Sequence, residues 1–205
     1  MSTRSIVARK TGDGTFSGVF VHWDGHPESV GKSLYDGYNG YFEHDLKRME
    51  RYLLDDHPAG WECLAKRDFS LEARYVSDAN RTVKWPESVD GEMEEESDRK
   101  VMAYLTSDDE RRPMCRCHGD ADCSAETFTQ KNRNLFWAEY LYILDTSPDG
   151  DVLMVCNQHK WVKTRTPLQK FGPWGIYYIV PLDGPEPNWD LVKRLVNDPG
   201  AENAE

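Results

Sequence analysis

No stretch of this chain approaches the roughly 18 consecutive apolar residues that a membrane-spanning helix needs, so a bilayer-embedded protein is not expected. The opening Met1-Ser2-Thr3-Arg4-Ser5 lacks the apolar core of a secretory leader, and the expected compartment is the cytoplasm. Cysteine is sparse and odd in number: five thiols exclude a fully paired disulfide framework and agree with a reducing environment. Positive charge is in short supply, with 25 Lys and Arg against 36 Asp and Glu and a net charge of −11. That deficit argues against sequence-independent binding to nucleic acid and against docking on an anionic membrane. The basic clusters that exist are short, Lys47-Arg48 with Arg51 and Lys160 to Lys170. A reaction-defining signature is missing as well. No HExxH spacing occurs, and no nucleophile elbow or Cys-His pattern surrounds Cys63, Cys156, His44, His57 or His159, so no residue is assigned a catalytic role.

What is present describes a folded α+β protein. Hydrophobic residues make up 39% of the chain, and seven Trp, ten Tyr and seven Phe supply enough apolar area for a real core. Arg4 to Lys10 and Thr15 to Trp23 read as strands joined by the turn Thr11-Gly12-Asp13-Gly14, hence an antiparallel hairpin. The second strand carries bulk on both faces, Phe16, Phe20 and His22 on one and Val19, Val21 and Trp23 on the other, which places it inside a sheet. Pro27 opens a short helix with Val30, Leu34 and Tyr38 on one stripe. A stronger helix is expected over Tyr41 to Asp55, with Phe42, Leu46, Met49 and Leu53 buried. Phe69 to Val76, Thr82 to Trp85 and Val101 to Thr106 are weaker strand candidates around an acidic stretch. Leu135 to Asp145 and Asp151 to Asn157 form a second hairpin about Ser147-Pro148-Asp149-Gly150, with Trp161 to Arg165 as an extension. Ile176 to Leu182 is a further strand, and Asn188 caps a last helix bearing Leu191, Val192, Leu195 and Val196. The expected architecture is a single domain over 1–198, a mostly antiparallel sheet built from hairpins and packed with two or three helices. A long polar insertion spans about 86–134, and a disordered tail covers 199–205.

Four groups of side chains invite chemistry. His22, Asp24 and His26 alternate along an extended segment and could share a divalent metal, or form a turn in which Asp24 caps the following helix. Gly31-Lys32-Ser33 resembles the end of a phosphate-binding loop, which would give Lys32 a phosphate to hold. The glycine that loop needs five residues earlier is His26 here, and the plainer reading makes Lys32 a surface lysine. Cys115, Cys117, His118 and Cys123 offer three thiolates and an imidazole within nine residues, enough for a structural zinc ion, although the CxC spacing is awkward for one. A redox pair or unliganded thiols are the other readings. Finally, Trp161, Phe171, Trp174, Tyr177 and Tyr178 interleave with Lys160, Lys163, Arg165 and Lys170, a pattern that stacks single-stranded bases or simply covers a core.

His22-Trp23-Asp24-Gly25-His26-Pro27-Glu28-Ser29-Val30-Gly31-Lys32-Ser33-Leu34, followed by Tyr38-Asn39, has the form HxDGxPxxxGxxL with a tyrosine-asparagine pair. In this it resembles a group of small proteins frequent in tailed-phage genomes. The likeness covers roughly residues 2–57, and His26 stands where that group has a tyrosine. The resemblance implies a phage setting and no particular chemistry. Together these features lead to the expectation of a phage accessory protein in the host cytoplasm that binds a host or phage macromolecule, a protein before a nucleic acid, without catalysis. The alternative is a small metal-dependent hydrolase, or a protein that binds or sequesters a small nucleotide, using His22, Asp24, His26 and Lys32. Zinc is the one cofactor the sequence suggests.

Overall fold

The computed structural model describes residues 3–71, 73–75, 112–117, 128–129, 138–158 and 167–197. Strands β1 (Ser5–Gly12) and β2 (Thr15–Trp23) form the expected antiparallel hairpin, with Ser5 opposite Val21. The chain then leaves the sheet through a π-helical turn, Pro27–Gly31, that runs straight into α1 (Lys32–Asn39). It reverses, enters α2 (Leu46–Glu50), continues through a second π-helical turn, Arg51–Asp55, and returns as β3 (Trp61–Cys63). Strand β3 lies parallel to β2, with Val21 opposite Trp61, so the helices form the crossover of one βαβ unit.

The helix expected from Tyr41 begins only at Leu46. Glu43 and His44 adopt positive φ of 51° and 63°, and the Asp45 side chain accepts the Arg48 amide at 2.9 Å. An aspartate satisfying an orphan amide fixes a helix start more firmly than periodicity does. Asp24, the expected cap of the first helix, has φ of 59° and lies before it; the His26 carbonyl instead accepts the amides of Ser29 and Val30.

The short strands β4 (Arg74–Tyr75), β5 (Met114–Cys115) and β6 (Phe128–Thr129) add to this end of the sheet. Two of them fall inside the stretch read as an insertion, so parts of it belong to the sheet: β5 pairs with β3, and β6 with β2. Among the described residues of the strand expected over Phe69 to Val76, only β4 is extended. The candidates at Thr82 to Trp85, Val101 to Thr106 and Trp161 to Arg165, and the tail from 199, lie outside the described residues.

Strands β7 (Tyr140–Ser147) and β8 (Gly150–Gln158) make the second hairpin, and β9 (Gln169–Phe171) with β10 (Trp174–Pro181) a third. The order across the sheet is β4-β5-β3-β2-β1-β7-β8-β10-β9. Antiparallel pairs dominate, and β1 joins β7 in parallel. A last helix, α3 (Trp189–Asn197), starts where Asn188 accepts the Leu191 amide at 3.1 Å. The fold is therefore α+β, and β2 lies inside the sheet as its two apolar faces require.

Both faces of the sheet are buried. One carries Val7, Val19, Val21, Trp61, Tyr142, Leu144 and Val155 into a core shared with Leu34, Tyr38, Phe42, Leu53, Trp189 and Val192 of the helical segments. The other face gathers Ile6, Ala8, Phe16, Leu141, Ile143, Met154, Cys156, Phe171 and Trp174. This second core exists because the sheet curls. The Gln169 amide reaches Asp13 at 3.2 Å, and the Phe16 and Phe171 rings meet edge to face at 6.4 Å, bringing β9 back over the first hairpin. Phe171, Trp174 and Tyr177, three of the rings considered for base stacking, are buried in these cores. Trp161 and its neighbouring cations lie outside the described residues.

Candidate functional site

The HxDGxPxxxGxxL segment is mostly a docking device. The Gly25 amide donates to the Thr3 carbonyl at 2.9 Å and its own carbonyl accepts from the Tyr142 hydroxyl at 2.8 Å. A Cβ at Gly25 would lie 2.8 Å from that of Ser5, so only glycine fits. Leu34 is fully buried, and the Asn39 side-chain amide bonds the Tyr35 and Leu182 carbonyls at 3.0 and 3.1 Å. Tyr38 places its hydroxyl between Asp151 and Asp183. Burial pushes the Tyr38 phenol well above its ordinary value, and the two carboxylates add to the shift.

The four residues considered for a ligand take separate partners. His22 receives a hydrogen bond at Nε2 from Arg116, a group that can only donate, and its ring sits edge-on to Phe20 at 4.7 Å. Arg116 in turn lies 3.8 Å from Glu62, which also accepts the Trp23 indole N–H at 2.8 Å. His26 Nε2 is bonded to the Thr3 hydroxyl at 2.7 Å, and its ring leans on Tyr140. Asp24 occupies the bend between them. Lys32 is ion-paired with Glu186 at 2.5 Å and Asp36 at 3.2 Å, tying α1 to the loop that precedes α3. The Glu186 contact raises the Lys32 pKa and lowers that of the acid.

Of the four proposed zinc ligands, His118 and Cys123 lie outside the described residues. Cys115 is fully buried in the helical core, and Cys117, half-buried, accepts the Ala59 amide at Sγ, 3.1 Å away. Among the described residues no three His, Cys, Asp or Glu side chains converge as a metal site.

Among the described residues a concavity lies where the crossover returns to the sheet. Tyr41, Tyr52, His57, Phe69, Ser70, Leu71 and Ala73 line a cleft of about 520 Å³, within the size range of small-ligand and side-chain pockets. Its floor is held rigidly. Trp61 is fully buried, donates its indole N–H to the Leu53 carbonyl at 2.9 Å, and stacks on Tyr52 with ring centres 5.6 Å apart. His57 packs on Trp61 at 4.3 Å, and Phe69 meets Tyr52 edge to face at 6.1 Å. The Arg48 guanidinium lies 4.6 Å over the Tyr41 ring at the rim. Tyr52 has a buried hydroxyl without a hydrogen-bond partner, and desolvation raises its pKa. Leaving such a group unsatisfied costs about 1–3 kcal/mol.

Sequence reasoning passed over this cleft. Its residues are spread from Tyr41 to Ala73, and the loop after β3 that brings Phe69 beside Tyr52 has no periodic signature. The available signal was the Arg48 and Tyr52 pair, one helical turn apart beside the apolar stripe. No protein-family model, no curated protein and no solved structure matches this chain.

Proposed function

We propose that this chain is a phage-encoded accessory protein that acts in the host cytoplasm by binding a host or phage protein, with the aromatic cleft as its point of contact. The observation that carries the reading is the cleft itself: four aromatic or imidazole rings around about 520 Å³, backed by a fully buried tryptophan. Rigid aromatic pockets of this kind receive the anchor residues that dominate protein interfaces. The phage setting rests on the HxDGxPxxxGxxL likeness. The net charge of −11 weighs toward a protein partner over nucleic acid, and among the described residues no helix is long and apolar enough to cross a membrane.

The alternative, metal-dependent hydrolysis or nucleotide capture at His22, Asp24, His26 and Lys32, draws less support. Arg116 engages the lone pair of His22 that a metal would use and places a cation beside it. Lys32 is held by two carboxylates.

The test is a comparison of tagged wild-type protein with Ala73→Trp, which fills the cleft, each recovered from phage-infected cells. A partner enriched on the wild type and lost with Ala73→Trp is the expected result. An unchanged set of partners would remove the cleft from the reading.

A further inference from the structure

Arg48 distinguishes this cleft from a plain apolar pocket. The two neighbouring cations on the same helical segment are neutralised, Lys47 by Glu50 at 2.9 Å and Arg51 by Asp56 at 3.6 Å. Among the described residues the exposed Arg48 guanidinium makes no ion pair and rests on the Tyr41 and Phe42 rings. In a chain with eleven more acidic than basic residues, an unpaired arginine at the mouth of an aromatic cleft is a local reversal of charge. Inside, the Phe69, Leu71 and Ala73 side chains offer only hydrocarbon.

From this juxtaposition we infer that the cleft recognises an acidic peptide segment in which an aromatic residue, tryptophan or tyrosine, is followed closely by a carboxylate. The inference rests on the cleft being the contact point proposed above. The ring lies in the cleft against Tyr41, Tyr52 and Phe69, and the carboxylate takes the planar fork of Arg48. A guanidinium binds a carboxylate through two parallel hydrogen bonds. A phosphate site would be expected to bring several donors together, such as clustered cations or helix N-terminal amides, and the described residues lining this cleft include no lysine or arginine. That favours a carboxylate-bearing peptide over a nucleotide.

The experiment is an amide-resolved NMR titration of the full chain, which detects weak binding. The probes are a glycine-flanked Trp-Asp hexapeptide, the same peptide with Lys in place of Asp, and adenosine monophosphate. The Trp-Asp peptide should shift the amides around Tyr52 and Phe69 and bind more tightly than the other two. Arg48→Gln should weaken it by about three- to tenfold, as expected for one partly exposed charge-assisted contact. Ala73→Trp, or Ser70→Trp if the first variant folds poorly, should abolish it. Equal binding of the Asp and Lys peptides, or indifference to Arg48→Gln, would overturn the acidic specificity and leave the cleft reading standing. Tighter binding of adenosine monophosphate would replace the peptide with a nucleotide. If none of the probes shifts the cleft, the inference fails, and the partner comparison with Ala73→Trp decides separately whether the cleft binds anything.

Discussion

Gly31 and Trp189 meet so closely that a Cβ on the glycine would lie 2.8 Å from a carbon of the indole ring. The second glycine of the HxDGxPxxxGxxL pattern is thus a seat for the last helix, placed where the π-helical turn passes into α1 and backed by Tyr142. Gly31→Ala gains helix propensity of about 1 kcal/mol. It also forces a methyl group into a filled contact, which costs about 1–3 kcal/mol, and Trp189 is only 5% exposed and has little room to yield. Net destabilisation is expected in urea unfolding. The loss should shrink in a Trp189→Leu background, because residues in contact couple.

Tyr38 is the other fixed point of that pattern. Its single hydroxyl proton faces two acceptors, Asp151 at 2.9 Å and Asp183 at 3.0 Å. Both acids have further partners: Thr146 at 2.7 Å for Asp151 and His44 at 3.1 Å for Asp183. Tyr38→Phe should therefore cost about 1.5 kcal/mol, the low end for a bond to a charged group. His44→Ala should cost less than about 1 kcal/mol, because that exposed pair is screened by solvent. Equilibrium unfolding of the two variants checks the ranking, and an equal loss in both would mean the hydroxyl contributes little.

Strand positions were legible because alternation and turn residues are local signals. Thr15 to Trp23 was read to the residue, and the stripe Phe42, Leu46, Met49 and Leu53 is buried as its spacing requires. The parallel pairing of β1 with β7 and of β2 with β3 was not legible, since it depends on which strands a crossover brings together. The same limit hid the cleft. Tyr52 and Phe69 touch only because β3 lies beside β2 and turns the chain back. His22, Asp24, Gly25 and His26 drew attention by their chemistry, yet their partners, Arg116, Thr3 and Tyr142, come from distant parts of the chain. A chemically rich stretch at a strand-to-helix junction looks the same in sequence whether it binds a ligand or anchors a crossover.

The thiols should separate by burial. Cys156 is fully buried, and desolvation alone pushes its pKa far above the ordinary thiol value; Cys63 is raised for the same leading reason. Cys115 is equally inaccessible. Cys117 is half-buried, and its sulfur accepts the Ala59 amide. In native alkylation followed by peptide mass spectrometry, Cys117 should be modified first among these four. Comparable labelling of Cys156 would contradict the second core. A ligand seated in the cleft should slow the Cys117 reaction if it also covers Ala59.

Arg9 and Asp55 tie β1 to the end of the crossover through two parallel hydrogen bonds of 2.8 and 2.7 Å. The hydrogen bond from Arg9 holds the Asp55 carboxyl below its ordinary value of 3.8, with its Coulombic attraction and that of Arg51 in the same direction and desolvation opposing. A carboxyl whose pKa is depressed by folding contributes stability that is fully present above the unfolded value and disappears as pH falls through the lowered one. Asp55→Asn should therefore destabilise the protein at neutral pH. Both side chains are about a third or more exposed, so the loss should stay below about 1 kcal/mol. The difference from wild type should hold through mildly acidic solution, begin to close as pH approaches 3.8, and vanish below the lowered pKa, where Asp55 is protonated in both states. Molar salt at neutral pH should also shrink it, since an exposed pair is screened. Urea titrations across pH, with and without salt, measure both effects, and a difference that grew in acid would show that Asp55 is stabilised by something other than its charge.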